Sequence, residues 1–80
     1  MKKIHILFFG KLKEIWSTSS IDTQTHCITV EELYQELIES AKETPHKPSI
    51  KVAINDEFSE WGAMINDGDT IAFLPPASGG

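Results

Sequence analysis

Only one long stretch of this chain repeats its apolar residues at helical spacing, and that limits what the chain can fold into. Thr29-Val30-Glu31-Glu32 has the form of a capping box, in which a hydroxyl and a carboxylate satisfy reciprocal backbone donors at a helix N-terminus. Ile28 and Leu33 are placed as its hydrophobic staple. Val30, Leu33, Tyr34, Leu37, Ile38 and Ala41 then recur at steps of three and four, which gives one apolar stripe. Glu31, Glu32, Glu36, Glu39 and Glu43 fall outside it and read as a solvated face. Pro45 and Pro48 are expected to end the helix.

Strand patterns stand on both sides. Lys3 to Phe9 is rich in β-branched and aromatic residues and stops at Gly10; a period of two sends Ile4, Ile6 and Phe8 to one face and His5, Leu7 and Phe9 to the other. Lys11 to Trp16 can form a helical turn that returns Leu12, Ile15 and Trp16 to the core. Ser17 to Ser20 reads as a loop, and a second strand is expected from Ile21 to Cys27. Beyond the prolines, Ser49 to Ile54 reads as a third strand and Asn55-Asp56 as the start of a turn. Phe58 and Trp61 follow as isolated large side chains. Asn66-Asp67-Gly68-Asp69 is a turn signal, Thr70 to Leu74 the last strand, and Pro75-Pro76 cannot continue a ladder.

The order strand, strand, helix, strand, short segment, strand predicts an α+β domain with a mixed sheet of four to five strands under one main helix. That is the β-grasp, or ubiquitin-like, arrangement, with the first and last strands parallel at the middle of the sheet. Eighty residues leave room for one domain, residues 1–80, with 75–80 as a flexible functional tail.

Composition narrows the function classes. Twelve acidic against seven basic residues give a net charge of −5, which disfavours nucleic acid and suits a basic protein partner better. No apolar run is long enough for a membrane span, and Met1-Lys2-Lys3 leads into an alternating segment rather than a signal core, so a cytoplasmic protein is expected. The single cysteine, Cys27, reads as structural. His5, His26 and His46 have no metal-ligand spacing, and no metal is expected.

The tail Pro75-Pro76-Ala77-Ser78-Gly79-Gly80 carries the chemistry. It has no charged side chain to resist desolvation, its prolines restrict the base, and its glycines let another protein's backbone close around the terminal carboxylate of Gly80. A carboxylate becomes an electrophile once adenylated, and a sulfur donor can then convert it to a thiocarboxylate. The chain contains no phosphate-binding loop or dinucleotide fingerprint, so no cofactor is expected on it, and ATP would be used by a partner.

Ile6-Leu7-Phe8-Phe9, Lys13-Glu14, Asn66-Asp67-Gly68-Asp69 and Phe73-Leu74-Pro75-Pro76-Ala77-Ser78-Gly79-Gly80 together resemble the small subunit of molybdopterin synthase, a ubiquitin-like sulfur carrier. Leu74 stands where that family often has an aromatic residue, and Lys13 where arginine is common. The resemblance implies that Gly80 is adenylated by a ubiquitin-activating-enzyme-like adenylyltransferase and receives sulfur from a donor protein. It also implies that the tail enters the active site of a large catalytic subunit, within a heterotetramer, and supplies sulfur for the dithiolene of molybdopterin. This chain is then a sulfur-donor subunit rather than the catalyst.

Alternation supplies a docking face. If Ile4, Ile6, Phe8, Ile71 and Phe73 face the helix, Phe9 and Leu74 project from the uncovered face, and with Phe58 they form an apolar patch at the root of the tail. Coverage of Phe58 by its own loops is the alternative. Lys13 could pair with acidic groups of a partner. Rival functions are a carrier for thiamin thiazole synthesis, a protein modifier joined to lysines through Gly80, and an interaction module without tail chemistry.

Overall fold

The computed structural model describes residues 1–39, 41 and 49–75. Its frame is set by the pairing of β1 (Lys2–Phe8) with β5 (Thr70–Leu74), which run parallel with Ile6 beside Ile71 and Phe8 beside Phe73. A parallel pair needs a long crossover, and the rest of the chain provides it. Strand β2 (Ser20–Thr25) pairs antiparallel with β1; β3 (Lys51–Ile54) pairs antiparallel with β5, and β4 (Glu57–Ser59) with β3. The sheet order is therefore β2-β1-β5-β3-β4, the mixed β-grasp sheet expected.

One face of this sheet is closed by α1 (Lys11–Trp16) and α2 (Val30–Ile38). The stripe Val30, Leu33, Tyr34 and Leu37 is buried against Ile4, Ile6, Phe8, Val52, Ile71 and Phe73, with Leu12 and Ile15 completing the cluster. Full burial of each large aliphatic or aromatic side chain contributes roughly 1.5–3 kcal/mol. A one-residue slip of β1 or β5 would forfeit several of these at once, which fixes the register.

The N-terminus of α2 differs from the expected capping box. Thr29 Oγ1 accepts from the Glu32 N–H at 3.3 Å, but the Glu32 carboxylate reaches past Thr29 to the Ile28 N–H at 2.9 Å. Ile28 is 53% exposed, whereas Leu33 is buried, so the staple does not close. Two more donors of the first turn go to backbone: the Val30 and Glu31 N–H groups bond the Ala63 and Trp61 carbonyls. The loop after β4 thus caps the helix. The helix ends at Ile38, and Ala41 packs against the core beyond it; Glu43, Pro45, His46 and Pro48 lie outside the described residues.

The strands differ in extent as well: β1 runs from Lys2 to Phe8 rather than from Lys3 to Phe9, β2 begins at Ser20 rather than Ile21, and β3 begins at Lys51 rather than Ser49. Strand β2 stops at Thr25, because the buried Thr25 hydroxyl accepts the Cys27 N–H at 3.1 Å and bends the chain out of the ladder. The segment after Asn55-Asp56 is a strand, β4: both turn residues have positive φ, 51° and 72°, the pattern of a hairpin turn whose twist matches its strands. Asp69 pins this hairpin to β5. Its carboxylate accepts from Asn55 Nδ2 at 2.9 Å and the Asn66 N–H at 2.8 Å, while Asn55 Oδ1 accepts the Thr70 N–H at 3.0 Å.

Candidate functional site

Residues directly opposite in neighbouring strands share a sheet face, so the uncovered face can be read from the registers. Leu7 pairs with Ala72, Ala72 with Ala53, and Ala53 with Phe58, forming one row across four strands. Leu74 opens the next row beside Lys51. Phe9 follows one residue after β1, with its N–H bonded to the Phe73 carbonyl at 3.3 Å.

Leu7, Ala72, Ala53 and Phe58, with Phe9 and Leu74 beside them, form an apolar surface with raised edges. Phe58 is 78% exposed and Phe9 41%, while Leu7, Ala53, Ala72 and Leu74 are half-buried. The two alanines keep its middle low, so the large side chains at the margin frame a shallow trough. Phe58 is not covered by its own loops, which removes that alternative. Phe9, Phe58 and Leu74 belong to the uncovered side by alternation, as expected; Lys13 is exposed on α1, beside this end of the sheet.

Charge is distributed unevenly about the two faces. Glu31, Glu32 and Glu36 are exposed on α2 and Glu39 is exposed at its C-cap, on the helix side of the sheet, whereas Lys51 stands across from Leu74 on the uncovered side. The net charge of −5 therefore does not describe the apolar face.

Pro75 is the first residue past β5 and the last of the tail that is described; Pro76, Ala77, Ser78, Gly79 and Gly80 lie outside the described residues. Gly10 meets Pro75 closely: a Cβ on Gly10 would stand 2.7 Å from the Pro75 Cγ. The trough, Lys51, Leu74 and Pro75 thus share the end of the sheet from which the tail departs.

Cys27 has the environment of a structural thiol. It is buried, and Sγ donates to Glu36 Oε2 at 2.8 Å. Burial first, then the bond to Glu36, pushes its pKa up, the reverse of what a nucleophilic cysteine needs. His5 bonds Asp22 through Nδ1, and His26 is exposed. Among the described residues no group of three His, Cys, Asp or Glu side chains could hold a metal ion. No helix among them is long and apolar enough to cross a membrane.

Sequence reasoning missed Ala53, Ala72 and Gly10. Alanine carries no signal of exposure, although the alternation that placed Leu74 would have placed Ala72 as well. Gly10 was read as the end of a strand, and nothing in the sequence joins it to Pro75.

Residues 6–80 match the model of the ThiS family. The molybdopterin synthase sulfur carrier subunit of Drosophila yakuba is 35% identical over 82 aligned positions, covering 96% of this chain and 90% of the relative. Among solved structures, the molybdopterin converting factor subunit 1 of Pyrococcus furiosus, named as putative, superposes with a TM-score of 0.79 at 16% identity, covering 96% of this chain and 100% of that one. The small archaeal modifier protein 1 of H. volcanii gives 0.80 at 18%, with the same coverage. These two likenesses establish the shared fold. With nearly the whole length matched, by family model and by relative, this chain belongs to the ThiS family of small β-grasp proteins.

Proposed function

We propose that this chain is the sulfur carrier subunit of a molybdopterin synthase, working through the carboxylate of Gly80. The observation that carries the reading is the coincidence of an uncovered apolar trough with the root of an uncharged Gly-Gly tail, in a chain 35% identical to a relative of that name. The trough fits a partner that needs the domain held while the tail reaches inward.

The chemistry divides between partners. In an adenylyltransferase the Gly80 carboxylate attacks the α-phosphorus of ATP, pyrophosphate leaves, and an acyl-adenylate forms. A sulfide-level donor then displaces AMP and leaves the thiocarboxylate. In the large subunit the thiocarboxylate sulfur attacks an electrophilic carbon of the pterin precursor and displaces an oxygen leaving group from it; water then cleaves the acyl–sulfur bond, which leaves the sulfur on the pterin and regenerates the Gly80 carboxylate. This chain's own residues bind and orient: Phe9, Phe58 and Leu74 against the partner, Lys13 and Lys51 at the margin, and the tail in the active site. One face serves both partners in turn, so the subunit must leave the first before it serves the second.

Intact-mass measurement on protein from its native cells tests the reading. A fraction with one terminal oxygen replaced by sulfur is expected during active cofactor synthesis. Free carboxylate alone under those conditions would overturn it, and conjugates on many cellular lysines would point to a protein modifier instead.

A further inference from the structure

The tail has to leave the sheet in a direction that reaches a partner's active site, and backbone pairing stops setting that direction at Leu74. Pro75 has no N–H to donate and a fixed φ. What meets it is Gly10. The turn Phe9-Gly10-Lys11-Leu12 is closed by the Leu12 N–H on the Phe9 carbonyl at 3.1 Å, and Gly10 takes φ 56° and ψ −134°. Those angles belong to the first central position of a II′-type turn, which a side chain rarely tolerates.

The same position is closed to a side chain for a second reason. A Cβ at Gly10 would lie 2.7 Å from Pro75 Cγ and 3.6 Å from Cδ, so the proline ring occupies the space a side chain would need. Each end of this contact is anchored. Gly10 is held by the Phe9 N–H on Phe73 and by the start of α1, where the Lys13 N–H bonds the Gly10 carbonyl; Pro75 is held by the pairing of Leu74 with Lys51.

We infer that Gly10 is a positioning residue for sulfur transfer: its bare Cα is the seat for the Pro75 ring, and this contact sets the direction in which the tail departs. The inference rests on the carrier function proposed above. A tail displaced at its root carries the error to its reactive end, where the sulfur must meet its target atom in a productive geometry. Docking through the trough does not involve the seat. A disturbed seat therefore slows transfer and spares affinity.

Two measurements on the full-length chain test this. In the wild-type protein, nuclear Overhauser contacts between the Gly10 α protons and the Pro75 ring protons are expected; their absence overturns the seat whatever the function. In single-turnover transfer from the thiocarboxylated chain to the large subunit, Gly10→Ala is expected to be slower by roughly ten-fold or more, with Kd unchanged. Pro75→Ala removes the seated ring without straining Gly10, and leaves only a Cβ that a Gly10→Ala methyl would meet at an ordinary 3.8 Å. It is expected to be slower too, and the double variant to match it rather than multiply the two losses. Wild-type rates in Gly10→Ala, a Kd weakened in step with the rate, or losses that multiply would each overturn the proposal. A wild-type chain that transfers no sulfur would defeat the carrier reading, and the nuclear Overhauser contacts would still decide the seat.

Discussion

Trp16 lies flat on Phe8, with ring centroids 4.7 Å apart and planes 8° from parallel, and this stack ties the short helix α1 to the central strand. The Trp16 indole N–H also donates to the Leu37 carbonyl at 2.9 Å, near the C-terminal end of α2. One side chain thus joins β1, α1 and α2. Behind it Phe8, Phe73, Tyr34 and Trp61 continue the contact, with Tyr34 edge-on to Trp61 at 5.0 Å.

The two functions of Trp16 separate by substitution. Trp16→Ala removes the stack and the hydrogen bond and is expected to cost about 3 kcal/mol in urea unfolding. Trp16→Phe keeps a ring against Phe8 and loses the donor, for about 1 kcal/mol. Equal losses in the two variants would show that the bond to Leu37, rather than stacking, holds α1 in place.

Cys27 gives a pH dependence whose sign can be worked out. Burial raises the thiol pKa in the folded state, so the native chain keeps its proton where the unfolded chain has released it. The contribution is fully present below the unfolded value of about 8.5 and is lost as pH rises through the higher folded value. Stability is therefore expected to fall more steeply in the wild type than in Cys27→Ala above that unfolded value. Urea titrations of both proteins across that range measure the difference, and parallel curves would count against it. Alkylation of the folded protein is expected to be slow for the same reason.

Much of the fold was legible because its strands carry the period of two into a core with one covered face. Thr70 to Leu74 was placed to the residue, since Gly68 opens that segment and Pro75 closes it. The misplacements have a common cause: backbone groups bonding where side-chain patterns give no sign. The Thr25 hydroxyl cuts β2 short, Glu32 chooses the Ile28 N–H and leaves Ile28 outside, and the carbonyls of Trp61 and Ala63 cap α2. Strand β4 was missed because Glu57-Phe58-Ser59 has one apolar residue, and that one faces away from the core. The site shows the same division. Its large side chains followed from alternation, while its low middle and the meeting of Gly10 with Pro75 depend on which strands become neighbours.

Phe58 separates docking from folding more sharply than any other residue of the trough. It lies on an edge strand, is 78% exposed and contributes nothing to the buried cluster, so Phe58→Asp is expected to change stability by no more than about 0.5 kcal/mol. An exposed aromatic at the margin of an apolar surface is a candidate anchor for a partner's pocket, and its replacement by a charge is expected to weaken binding of the large subunit by roughly ten-fold or more. Calorimetric titration with the large subunit, beside a thermal melt of the free chain, reads both quantities. Leu74→Asp is the harder case, because Leu74 is half-buried within β5 and a charge there strains the sheet as well as the interface. Only the Phe58 variant should leave the melt unmoved while affinity drops. Unchanged affinity in that variant would place the partner on another surface and leave the trough without its assigned use.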